Sequence, residues 1–125
     1  MTPTLATLPL DTRTAVREAV GAVVDTKGED VRVRHLAQVA DFADWFVVAS
    51  GFNDRQVQAI ADRVEERLKT VGVRPLHVEG YRAGQWILLD YGDFLVHVFL
   101  DERRRYYGLE RLWSDAPDAT AEFLP

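Results

Sequence analysis

Asp90 and Asp93 stand three positions apart around Tyr91-Gly92. With Asp44 and the Asp101-Glu102 pair they are the carboxylates from which acid–base catalysis or a hard-cation site would be drawn. A hard cation needs several oxygens converging on one point. Two aspartates flanking a glycine equally serve as acceptors for backbone amides in a tight turn. His35, His77 and His97 supply three imidazoles, but no H-x-H or H-x-x-x-H pair occurs, so the local spacing typical of transition-metal sites is missing. His97 lies between Val96 and Val98 and reads as a buried, hydrogen-bonded ring or an interface residue. Ser50-Gly51 follows an apolar run and precedes a helical pattern, a place where α/β folds bind anions. A nucleotide-transferring enzyme would add a D-x-D pair on the next strand, and Pro75 to Glu79 offers only Glu79. Phosphate-binding loops of the G-x-G-x-x-G and Walker types and the G-x-S-x-G elbow are absent as well.

Two further clusters point to recognition rather than turnover. Arg103-Arg104-Arg105 precedes Tyr106-Tyr107, a combination that stacks on bases or fills a protein hot spot, and that also suits a solvated helix surface. Trp86, Tyr91, Tyr106, Tyr107 and Trp113 concentrate in the last third of the chain, close to Asp90 and Asp93. Exposed together, they would form an acidic-rimmed aromatic patch of the kind enriched at protein interfaces.

Charge and composition narrow the partner. Fifteen basic against 20 acidic side chains give a net charge of −5 over 125 residues, a poor basis for neutralising a phosphate backbone. A basic protein or a small ligand fits better, and sequence-specific nucleic-acid binding is not expected. With no cysteine, disulfides and sulfur-built zinc sites are excluded. No apolar run approaches the roughly 18 residues of a membrane span, and Met1 to Leu10 lacks the form of a signal peptide. The expected location is the cytoplasm, with no membrane partner, no cofactor and no metal.

The elements that must position these residues emerge from periodicity. Asp11 caps a helix whose Ala15, Val16, Ala19, Val20, Val23 and Val24 recur at helical spacing, with a stop at Lys27-Gly28. Val31 and Val33 alternate with Arg32 and Arg34 as a half-buried strand, and Val39 to Asp44 is a connection. Trp45 to Ala49 reads as a central strand. Asn53, with Gln56 as capping-box partner, opens a second helix that carries Val57, Ile60, Ala61, Val64, Leu68 and Val71 on one face and ends at Gly72. Pro75 to Glu79 is then the second strand of a β-α-β unit, which predicts parallel pairing with the Trp45 strand. Gly80 to Gln85 is a turn, Trp86–Asp90 and Phe94–Leu100 form a hairpin, and Asp101 to Tyr107 is a short helix. Leu109, Leu112 and Trp113 are apolar anchors for the C-terminal segment. The expectation is a single α/β domain over residues 11–113, a mixed sheet of about five strands with flanking helices, between a flexible N-terminus (1–10) and a loose tail (114–125).

Five motifs in order carry a resemblance. Ala43-Asp44-Trp45-Phe46-Val47-Val48-Ala49-Ser50-Gly51 comes first, then Arg55-Gln56-Val57-Gln58-Ala59-Ile60-Ala61-Asp62. Val78-Glu79-Gly80 and Trp86-Ile87-Leu88-Leu89-Asp90-Tyr91-Gly92-Asp93 lead to Val96-His97-Val98-Phe99, and Tyr107, Leu109, Glu110, Leu112 and Trp113 close the pattern. From about Asp30 to Trp113 the chain resembles the ribosomal silencing factor family, also called Iojap-like. The resemblance implies a nucleotidyltransferase-like fold without the catalytic carboxylates, and a non-enzymatic role. It implies binding to the fourteenth protein of the large ribosomal subunit, a steric block to subunit joining, and repression of translation when nutrients are scarce. It also implies self-association as a homodimer. Mapped onto matching positions, the partner-binding residues it suggests are Trp86, Asp90, Tyr91, Asp93, His97, Tyr107 and Trp113. The alternative is a nucleotide-binding or nucleotidyltransferase-like domain acting at the Ser50-Gly51 helix start.

Overall fold

In the computed structural model, residues 11–36, 43–107, 111 and 115–125 are described. The expected flexible N-terminus (1–10), most of the Val39–Asp44 connection, and Leu109, Leu112 and Trp113 lie outside the described residues.

Helix α1 (Thr12–Asp25) starts where Asp11 caps it by accepting from the Arg13 amide. Helix α2 (Asp54–Thr70) is capped by Asn53, whose Oδ1 accepts from the Gln56 amide at 2.8 Å. Gln56 returns the bond one residue earlier than a standard capping box, its Oε1 accepting from the Phe52 amide at 2.7 Å. The strands are β1 (Glu29–His35), β2 (Trp45–Gly51), β3 (His77–Glu79), β4 (Trp86–Asp90) and β5 (Phe94–Leu100). Helix α3 (Asp101–Tyr107) comes directly after β5, and α4 (Thr120–Phe123) comes last.

The sheet order is β1-β2-β5-β4-β3, with β2 and β5 parallel and the other three pairings antiparallel. The hairpin turns at Gly92, whose φ of +87° is left-handed backbone that glycine adopts without strain. Both α1 and α2 lie on one face, where Val47, Ala49, Ile87, Leu89, Val96 and Val98 meet Val20, Val23, Ile60, Val64 and Leu68, all fully buried.

Two expectations are corrected. The crossover from β2 through α2 does not return to pair with β2: β3 sits at the far edge, beside β4, and the parallel partner of β2 is β5. The chemistry of the strands explains why. Phe94–Leu100 is apolar on both sides and suits the centre of the sheet, while three-residue β3, exposed throughout and carrying His77 and Glu79, suits an edge. Nor is the segment from 115 onward loose. His35 donates to the Pro117 carbonyl, Ala119 to the Val33 carbonyl at 2.8 Å, and Val33 to Thr120 Oγ1 at 2.9 Å. Phe123 is fully buried against Trp45, ring centroids 5.1 Å apart, with Arg13 over both rings. Pairing of this kind runs through backbone and isolated small residues, so no hydrophobic period announces it.

Candidate functional site

Strand alternation sends Ile87 and Leu89 of β4 under the helices and leaves Trp86, Leu88 and Asp90 on the opposite face. The register brings Phe99 opposite Trp86, His97 opposite Leu88 and Leu95 opposite Asp90. On the outer side, His77 pairs with Asp90 and Glu79 with Leu88. Phe46 and Val48 of β2 continue the same face beyond β5.

Among the described residues, Trp86 is the large side chain of this surface that stays open, with 42% of its area exposed. Its ring packs on Phe99 at 4.9 Å between centroids, and its Nε1 donates to His97 Nδ1 at 3.1 Å. His97 is itself buried, edge-on to Phe46 at 4.7 Å and parallel to Phe99 at 5.9 Å. Burial pushes its pKa down to about 4, so the ring is neutral at pH 7 and its Nδ1 lone pair is available to the indole. Asp90 anchors the hairpin turn, its Oδ1 accepting from the Gly92 amide at 2.8 Å. Asp93 is exposed in that turn, and its carbonyl accepts from the Asp44 amide at 2.7 Å, tying the start of β2 to the hairpin.

The expected partner-binding residues therefore separate. Trp86 and Asp90 share the face, Asp93 lies at its end, and His97 sits behind Trp86 rather than at the surface. Tyr91 belongs to the other face, buried and stacked on Phe94 at 4.8 Å, and burial raises its phenol pKa. It is not available to a partner alongside Trp86. Tyr107 ends α3, and Trp113 lies outside the described residues. His77 and Glu79 join the face through cross-strand register, which only the pairing of β3 with β4 reveals.

The Ser50-Gly51 position is filled by the chain itself. Ser50 is fully buried, and its hydroxyl accepts from Arg104 Nη1 at 2.9 Å; the same nitrogen donates to the Asp30 carbonyl at 2.8 Å. At Gly51 an added Cβ would stand 3.1 Å from Val57. A phosphate would have to displace a buried guanidinium. The arginine run is thereby divided, with Arg104 inside and Arg105 on the α3 surface paired with Asp101. Among the described residues no three His, Cys, Asp or Glu side chains converge as a metal site, and no helix is long and apolar enough to cross a membrane. Another concavity, about 530 Å³, lies between α2 and residues 73–75, where Asp62, Glu65 and Glu66 mix with Lys69 and Arg74. That mixture selects no single ligand charge.

Comparison with known proteins bears on this arrangement. A family model described as "Ribosomal silencing factor during starvation" matches residues 9–125. A ribosomal silencing factor of Halalkalibacterium halodurans is 40% identical over 104 residues, 83% of this chain and 89% of that protein. That of Bacillus subtilis is 35% identical over 114 residues, covering 91% and 97%. A crystal structure of a Chromobacterium violaceum protein superposes with a TM-score of 0.81 at 35% identity, over 84% of this chain and 88% of that one. A mouse protein named for mitochondrial assembly of the large ribosomal subunit is 30% identical over 88 residues, 68% of this chain and 39% of its own length.

Proposed function

The chain belongs to the ribosomal silencing factor family, and from that premise we propose that it binds the large ribosomal subunit through the fourteenth protein of that subunit and keeps the small subunit from joining. The role is steric and regulatory, without turnover, and it operates in the cytoplasm when translation must be damped. One observation carries the docking half of this reading. A tryptophan is held half-exposed on the sheet face turned away from α1 and α2, with Glu79 and Asp90 on the same face. Aromatic anchors beside charged groups that match the partner are what interfaces are made of, and a net charge of −5 suits a basic ribosomal protein. The Ser50–Arg104 contact supports the non-enzymatic half, because it leaves the Ser50 hydroxyl buried and already engaged by the chain's own guanidinium.

Sedimentation of ribosomes on sucrose gradients tests the reading. Added protein is expected to co-sediment with large subunits and to leave the two subunits separate. Unchanged formation of joined particles at saturating protein would overturn it. Sedimentation of the free chain reads the homodimer that the family resemblance implies.

A further inference from the structure

Resting on that docking reading, we infer that His97 is a positioning residue that takes up the indole N–H of Trp86, so that the partner meets the bare ring and seats a cation, a lysine or arginine side chain, against it.

The geometry leaves the indole little else to offer. Its one donor is turned inward to His97 Nδ1 at 3.1 Å, and Phe99 packs against the ring at 4.9 Å. With that donor engaged and 42% of the residue exposed, what the indole can still present to a partner is its carbon surface. A partner relying on a hydrogen bond from the tryptophan would find none. A π-face attracts cations through the ring quadrupole. On this face the nearest acidic position by register is Glu79, diagonally across from Trp86 on β3, with Asp90 four residues along β4, so the face carries negative charge that suits a cation. His97 is suited to its task because it is buried between Phe46 and Phe99 and neutral, so its acceptor persists at neutral pH. An indole fixed in this way loses little side-chain freedom on binding, which is the advantage of a preorganised anchor.

The test compares variants of the full chain for binding to purified large subunits, with thermal melts to show that each is folded. Trp86→Phe keeps a π-face and gives up the N–H; Trp86→Leu keeps apolar bulk and gives up the π-face. Expected is a loss of about threefold for Phe and about tenfold more for Leu. Equal losses for the two variants overturn the cation assignment. His97→Phe preserves packing and removes the acceptor. It is expected to shift the Trp86 indole N–H resonance, speed its exchange and weaken binding several-fold. His97→Asn, whose Oδ1 falls near the place of Nδ1, is expected to restore both. An unmoved resonance with unchanged binding in His97→Phe overturns the positioning role. Failure of the unaltered protein to bind large subunits is a separate result, which removes the docking reading itself.

Discussion

On the helix side of the sheet, Val47, Ala49, Ile87, Leu89, Val96 and Val98 are aliphatic, carry no polar side-chain atom and are fully buried. On the other side, the same three strands carry Phe46, Trp86, Leu88, His97 and Phe99, with a hydrogen bond between two rings and a tryptophan left 42% open. Burying apolar area accounts for the first face, because each aliphatic side chain removed from water stabilises the fold by roughly 1.5–3 kcal/mol. It accounts for only part of the second, where Phe46, Val48 and Phe99 are buried with Leu36 and Ala116 while Trp86 stays open. Presentation of one ring is added there to burial of the others.

The contrast can be broken from either side. The largest expected effect is on the helix side, where Phe123→Ala, removing a fully buried ring against Trp45, should cost about 3–5 kcal/mol in denaturant unfolding. Subunit binding per folded molecule should be unchanged. Acid acts on the other face. His97 titrates near 4 in the fold against an ordinary 6.5, so the unfolded chain takes up more protons between those values. Stability is then full above pH 6.5 and falls as pH drops toward 4, by up to about 3 kcal/mol from this group. A melt series at pH 7 and pH 4.5 should show that slope diminished in His97→Phe. Trp86→Ala should weaken binding to large subunits by about 30-fold, roughly 2 kcal/mol, with a smaller change in melting than Phe123→Ala. If its melting loss matches that of Phe123→Ala, the two faces are not different in kind. The smallest effect belongs to Glu122→Gln, which breaks a half-exposed ion pair with Arg13 and should cost about 0.2–1 kcal/mol in unfolding.

Much of this architecture is legible in the order of residues alone. Helical period places α1 and α2, capping residues place their starts, and the Tyr91-Gly92-Asp93 turn places the hairpin. Strand alternation puts Trp86, Leu88 and Asp90 on one side. The features that stay hidden depend on contacts between distant segments. Nothing in Pro75 to Glu79 says that it pairs with β4 rather than β2, so the arrival of His77 and Glu79 on the tryptophan face cannot be read. Tyr91 resembles a companion of Trp86 because they are near in sequence, yet one step of alternation separates the faces. Arg104 is one of three equivalent arginines until α3 turns it onto Ser50.

The segment that seals the outer edge of β1 has a consequence in time. Val33 waits for Thr120, 87 residues later, before its amide is bonded. During synthesis the β1–β2 ladder and the α1–α2 pair can assemble while this edge is still bare. Closure comes only once residues 117–123 have left the exit tunnel. Until then the nascent chain carries an unpaired strand edge, the kind of surface that pairs with other chains.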